Sequence, residues 1–253
     1  MSRITSGLLV AMLGASPSLV LAACDTFATY KGVALHRLSG GRAYAYRTAH
    51  IAIDADGAPN AYHPQDRGID ALANAGFPSG WRSVLVADPA HLSQPFVQKT
   101  GEFAGFFLSM TGLQDRAAAN TDPVRYVDAR TTPYVVFPGR FFGMAGTGQL
   151  GTLGMARNLS TGQTSPMVFA DVGGQEHELG EVSIKLAENL GDQNVDPRKG
   201  TGAPRGPFAY AIFPGSEAMP PWPLSASQLQ ERASVELARA GGWDAVLACV
   251  GPG

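Results

Sequence analysis

Charge is scarce in this chain. Only 16% of its 253 residues are Asp, Glu, Lys or Arg, and the formal net charge is −2. Globular chains usually carry about 25%, so the surface depends on neutral polar groups. No basic excess exists to neutralise a phosphate backbone, so nucleic acid is not an expected partner. Cysteine is nearly absent, with Cys24 and Cys249 alone. A disulfide-dense miniature scaffold is therefore excluded, and the chain is long enough to bury a self-sufficient core. After the first 25 residues there is no apolar run of about 18, so no transmembrane span is expected. Several chemical signatures are also missing. There is no Gly-x-Ser-x-Gly, no His-x-x-x-His or His-Glu-x-x-His, and no glycine loop followed by lysine at a helix start. His36, His50, His63, His91 and His177 are scattered, so neither a metal nor a cofactor is expected.

Glycine (31) and proline (18) are abundant, approaching a fifth of the chain. That is above the average of about 12% and below the range of low-complexity disorder, which indicates a turn-rich globular protein. Residues 1–23 read as a secretory signal: Arg3, an apolar stretch from Gly7 to Leu21, then the small pair Ala22-Ala23. A secreted or periplasmic location follows. Pro17 and the lack of a polar face argue against a core helix there. Cys24 admits two readings. In an oxidising compartment it pairs with Cys249. Alternatively, Leu21-Ala22-Ala23-Cys24 serves as a lipobox, and Cys24 carries a lipid anchor. The remainder, 24–253, shows no linker or repeat and is expected to form a single catalytic domain and to act as a monomer.

Short apolar runs bounded by turn residues predict strands at Ala43–Tyr46, His50–Ile53, Ser83–Val86, Gly105–Met110, Pro133–Phe137 and Pro166–Ala170. Asp54-Ala55-Asp56-Gly57 reads as an aspartate turn; its ligand spacing does not continue as a calcium loop. Gly143–Gly151 and Asp192–Pro207 read as loops. Helices are predicted over Glu181–Leu190, with Gly191 as the stop, and over Ser225–Ala240, where Ser225 and Gln228 form a capping box. Many short strands and few helices predict a mainly β (α+β) fold, a compact β-barrel with a few added helices.

The stretch Met167–Leu190 carries the most chemistry. A strand delivers Asp171, Gly173-Gly174 turns the chain, and Gly180 brings Glu181 to a helix start. Fully extended, ten residues span about 33–36 Å, but a glycine turn can fold them so that both carboxylates face one cleft. Two such carboxylates are the equipment of an inverting glycosidase, one protonating the leaving oxygen and the other activating water.

Here the sequence resembles the fungal-type chitosanases, glycoside hydrolase family 75. Their pattern is a strand ending in Asp, a glycine turn, then Gly-Glu-x-Ser-Ile-x-Leu-Ala. It reads here as Asp171, Gly173-Gly174 and Gly180-Glu181-Val182-Ser183-Ile184-Lys185-Leu186-Ala187. Ordered blocks elsewhere agree: Ile53-Asp54-Ala55-Asp56-Gly57-Ala58, Gly105–Ser109, Tyr126–Asp128, Pro133–Val136 and Phe213–Ser216. The resemblance implies a double-psi type of barrel and an inverting endo-hydrolase cutting β-1,4-linked glucosamine polymers. It also implies Asp171 as general base, nearer solvent, and Glu181 as general acid, shielded from it. A polycationic polysaccharide substrate calls for further carboxylates along the groove, and Asp54, Asp56, Asp128 and Glu178 are the substrate-binding candidates. Trp81, Tyr62, Tyr126, Phe141 and Phe142 either stack on sugars or fill the core. The chain departs from the family in having fewer cysteines and in carrying Glu176, His177 and Glu178 between the two carboxylates. A peptidoglycan-acting enzyme and a non-catalytic envelope glycan-binding protein are the alternatives.

Overall fold

A computed structural model describes residues 24–38, 41–191, 193–218 and 222–252. The expected signal segment 1–23 lies outside the described residues. Strand outweighs helix, 29% to 18%, so the protein is mainly β. Eleven strands are described: β1 (Asp25–Tyr30), β2 (Val33–Arg37), β3 (Tyr44–Thr48), β4 (Ala52–Asp54), β5 (Ala87–Asp88), β6 (His91–Pro95), β7 (Tyr134–Pro138), β8 (Leu153–Asn158), β9 (Thr164–Gly173), β10 (Glu181–Ser183) and β11 (Phe208–Phe213). The helices are α1 (Gly139–Phe142), α2 (Ile184–Asn189), α3 (Ala226–Arg239) and α4 (Gly242–Val250).

Nine strands form one mixed sheet in the order β1-β2-β3-β11-β8-β9-β7-β10-β4; β5 and β6 pair separately. Most neighbours are antiparallel, but β7 with β9 and β10 with β4 are parallel. The expected closed barrel is not what these strands form, because β1 and β4, at the two ends of the order, do not pair with each other. The sheet nevertheless curls. Tyr30 of β1 packs edge-on against Phe141 of α1, with ring centroids 5.3 Å apart, and its hydroxyl donates to the His177 carbonyl at 2.9 Å.

Both faces of the central strands are buried, and alternation decides which core each residue joins. Phe208, Tyr210 and Ile212 of β11 point into a core with Tyr44, Tyr46, Phe137, Phe169 and Leu186. Ala209, Ala211 and Phe213 point the other way, into a core with Tyr134, Val136 and Leu153. That second core is roofed by α3 through Leu229, Ala233 and Leu237. Its capping box is formed as the sequence predicts: Gln228 N–H donates to the Ser225 hydroxyl, and Ser225 N–H to the Gln228 side chain. Behind α3, α4 carries Cys249, which is disulfide-bonded to Cys24 across a separation of 225 residues. The pairing reading of Cys24 is thus the one the structure shows.

The segments Pro133–Phe137 and Pro166–Ala170 are strands β7 and β9. Ala43–Tyr46 and His50–Ile53 overlap β3 and β4, and the helix expected over Ser225–Ala240 is α3; three other predicted elements need correction. Ser83–Val86 is a 3-10 turn (Trp81–Ser83) followed by irregular chain, and Gly105–Met110 is also irregular; they meet only at isolated bridges such as Leu85 with Ser109. The predicted helix from Glu181 starts three residues later. A slot between β7 and β4 draws Glu181–Ser183 into an extended strand, and Ser183 then caps α2 by accepting from Leu186 N–H at 3.1 Å.

Candidate active site

Asp171 and Glu181 share one row of the sheet. Across β10, β7 and β9, Glu181 stands opposite Val136, and Val136 opposite Asp171. The neighbouring row, Val182, Val135 and Phe169, points into the aromatic core. Alternation alone would send Asp171 there too, because it lies two residues after Phe169. A β-bulge prevents this: β7 and β9 pair Val135 with Phe169 and then Val136 with Asp171, leaving Ala170 as the extra residue. Bulges re-aim a side chain in this manner. The chain at Gly112–Leu113 grips the bulge, with Gly112 N–H donating to Asp171 Oδ1 at 2.9 Å and Leu113 N–H to the Ala170 carbonyl at 2.8 Å. Asp171 thus sits two residues before the end of β9, and Glu181 on a strand instead of a helix start.

On β4, Ala52 pairs with Glu181 and Asp54 with Ser183, so Asp54 lies one pleat further along the same face. Its Oδ1 accepts Asp56 N–H at 2.9 Å, which closes the aspartate turn expected from the sequence. Gly57 completes that turn at φ +75°, where a Cβ would fall 2.1 Å from the Val127 carbonyl oxygen. Only glycine fits so close an approach.

Asp54, Asp56, Asp171 and Glu181 line one cavity of about 330 Å³ together with Asn74, Ser83 and His177. Among the described residues no Lys or Arg lines it, and His177 is its one basic side chain. Both Asp54 and Asp56 are buried, at 8% and 9% exposure. Tyr134 anchors them, donating to Asp54 Oδ2 and to the Asp56 carbonyl, each at 2.9 Å. The Asp56 Oδ1 accepts from Tyr62 at 2.8 Å and from Ser109 at 3.2 Å. Asp54, Asp56 and Asp171 each offer an oxygen within 4.8 Å of the other two, a spacing that a small cation or shared protons would relieve.

Crowded carboxyls in an enclosed site resist ionisation. Burial, and then the neighbouring Glu181 charge, pushes Asp54 up to about 7. Burial and Asp54 push Asp171 to about 7, against the pull of the Val172 and Gly112 N–H groups. Burial and Asp171 push Glu181 to about 7. Asp56 is driven well above the carboxylate range by burial, Asp54 and Asp171. These groups titrate jointly. The expectation that Asp171 lies nearer solvent is not met: its carboxyl is enclosed in the cavity, as is that of Glu181.

Of the four expected binding carboxylates, Asp54 and Asp56 join the site, while Asp128 and Glu178 do not line this cavity. Asp128 is held by Arg130 at 3.1 Å and accepts Arg130 N–H at 2.9 Å. Glu178 is 62% exposed and pairs with His50 at 3.5 Å. Trp81, Tyr62, Tyr126 and Phe141 are buried, and Phe142 is half-buried against Phe169, so the aromatic candidates pack inward. Sequence reasoning did not single out Tyr134, Ser109 or Asn74 for the site. Compared with known proteins, the chain matches no protein-family model and no curated protein.

Proposed function

We propose that this chain is an exported, inverting glycoside hydrolase that cuts the β-1,4 linkages of a glucosamine polymer such as chitosan. The observation that carries the reading is the shared row of Glu181, Val136 and Asp171, which aims two carboxyls into one acidic cavity. Strands lie about 4.8 Å apart, so two strand steps separate the two backbones by roughly 9–10 Å. That suits the ~6.5–9.5 Å between carboxyls through which a water attacks in inversion.

The roles follow from the donors around each carboxyl. Asp171 accepts two backbone N–H groups, Val172 and Gly112, each at 2.9 Å, which favour its ionised form. It is the base. Glu181 receives no backbone hydrogen bond among the described residues and is the better proton donor. Glu181 protonates the glycosidic oxygen as the anomeric C–O bond breaks. Asp171 takes a proton from the water whose oxygen bonds to that carbon from the opposite face. Charge passes from Asp171 to Glu181, and the pair resets by exchange with solvent. The ammonium groups of a glucosamine polymer complement a cavity lined, among the described residues, by four carboxyls and no Lys or Arg. The Cys24–Cys249 disulfide supports an oxidising, extracytoplasmic setting.

The test is product analysis of soluble chitosan, with the anomeric configuration of new reducing ends followed by NMR, for wild type, Asp171→Asn and Glu181→Gln. Short oligomers released as the α-anomer by wild type, and a loss of a hundredfold or more in both variants, support the reading. A folded wild type that binds chitosan without cutting it would make this a glycan-binding protein. Cleavage of peptidoglycan alone would reassign the substrate.

A further inference from the structure

The turn between β9 and β10 carries Glu176, His177 and Glu178, which fall outside the chitosanase-like motif. Their side chains have separate partners. Glu176 pairs with Arg140 at 2.9 Å and Glu178 with His50 at 3.5 Å. His177 alone of the three lines the carboxyl cavity. Its Nδ1 lies 3.5 Å from Glu181 Oε2.

That placement is built by the surrounding chain. The Tyr30 hydroxyl donates to the His177 carbonyl at 2.9 Å, the Lys31 ammonium to the Glu176 carbonyl, and Arg140 N–H to the Gln175 carbonyl at 3.2 Å. The imidazole then lies over two glycines. A Cβ on Gly174 would fall 2.5 Å from the ring Nε2, and one on Gly173 would fall 3.0 Å from Glu181 Oε2. The glycine pair therefore makes room for the ring and the carboxyl, besides turning the chain.

We propose that His177 is a positioning residue for Glu181, holding its carboxyl toward the cavity and stabilising the charge that arrives there during the reaction. The inference rests on the proposed hydrolase reading. When Glu181 gives its proton to the leaving oxygen, Oε2 gains negative charge. A neutral imidazole with its hydrogen on Nδ1 donates to that oxygen and keeps its own proton. Such a contact strengthens as the charge develops, so it acts on the rate of the step more than on substrate binding.

The test compares His177→Ala and His177→Asn with wild type and Glu181→Gln on soluble glucosamine oligomers. The side chain is 61% exposed, so truncation leaves the fold intact, as thermal unfolding would verify. His177→Ala is expected to lower kcat about tenfold or more with KM changed less than about twofold. His177→Asn, whose amide nitrogen reaches close to the position of Nδ1, should recover most of the rate. A His177→Ala kcat within twofold of wild type, beside an inactive Glu181→Gln, overturns the proposal and leaves the hydrolase reading standing. A raised KM at unchanged kcat also overturns it, since His177 would then be a substrate contact. An active Glu181→Gln instead removes the hydrolase reading. A second readout does not need turnover. The carboxyl ¹³C resonance of Glu181, assigned through Glu181→Gln, should move in His177→Ala, and an unmoved resonance refutes the contact.

Discussion

Glu181→Gln should abolish turnover and, at pH 8, make the folded chain more stable. Burial and the neighbouring Asp171 hold the Glu181 carboxyl at about 7, against its ordinary 4.5. A carboxyl raised by folding binds its proton more tightly in the folded chain than in the unfolded one. It carries no penalty below about pH 4.5. The penalty grows as pH rises from there toward 7, and it is fully present above 7. A gap of about two and a half units, at about 1.4 kcal/mol per unit, amounts to roughly 3 kcal/mol. Glutamine cannot ionise, so it escapes the penalty while keeping the shape. At pH 5 its advantage should be under about 1 kcal/mol. For a chain of this size, 1 kcal/mol moves Tm by about 2–4 °C, so the variant should gain roughly 6–12 °C at pH 8. The assay is thermal unfolding by circular dichroism at pH 5 and pH 8, at equal ionic strength, with the disulfide intact. An equal Tm difference at both pH values, or a variant less stable than wild type at pH 8, would refute the reasoning.

Other perturbations reach other parts of the site. On the proposed hydrolase reading Asp171 ionises to act, and it is held at about 7, so the rising limb of kcat/KM on soluble oligomers should lie near neutrality; a limb near pH 4 would contradict the enclosed cluster. Tyr134→Phe removes the donor to Asp54 and to the Asp56 carbonyl and should cost about 1–3 kcal/mol in urea unfolding. Gly57→Ala drives a methyl toward the Val127 carbonyl oxygen at a positive φ. It should cost more than about 2 kcal/mol, and a loss below 1 would show that the turn can yield. Reducing the Cys24–Cys249 bond frees a loop of 225 residues and should lower stability by up to about 5 kcal/mol, measured beside Cys249→Ser.

Local signals in the sequence were readable where the structure is itself local. The Ser225–Gln228 capping box and the unbroken apolar run of β7 each declare their element without help from distant chain. The Asp54–Gly57 turn does the same, and so does the Asp171–glycine–Glu181 sequence that leads to the carboxyl pair. What escaped notice depends on partners far along the chain. Strand β8, Leu-Gly-Met-Ala-Arg-Asn, has no strong pattern of its own and is strand because β9 and β11 flank it. The extended state of Glu181–Ser183 comes from β4 and β7, which outcompete the helical spacing that follows. The role of Tyr134 reaches Asp54 across 80 residues, and that of Ser109 reaches Asp56 across 53. Asp128 and Glu178 looked like equals of Asp54 in the sequence. Nearby Arg130 and His50 hold their charge away from the cavity.

The extra residue at Ala170 has a consequence for how this strand tolerates change. Up to Phe169 the strand's odd positions belong to the aromatic core; beyond Ala170 the parity is exchanged, and an odd position faces the cleft. The strand thus holds two independent frames joined at one residue. Excising Ala170 would give a regular ladder with Asp171 still opposite Val136, whereas a ladder that kept Ala170 without the bulge would set Asp171 opposite Phe137, a carboxylate facing a wall of rings. Substitution of core residues before the join leaves the register of Asp171 untouched, and deletion of the extra residue removes the kink while Asp171 keeps its side of the sheet; a further inserted residue is what would carry it to the wrong side. At that point the strand can lose a residue and keep its cleft-facing carboxyl, but it cannot gain one.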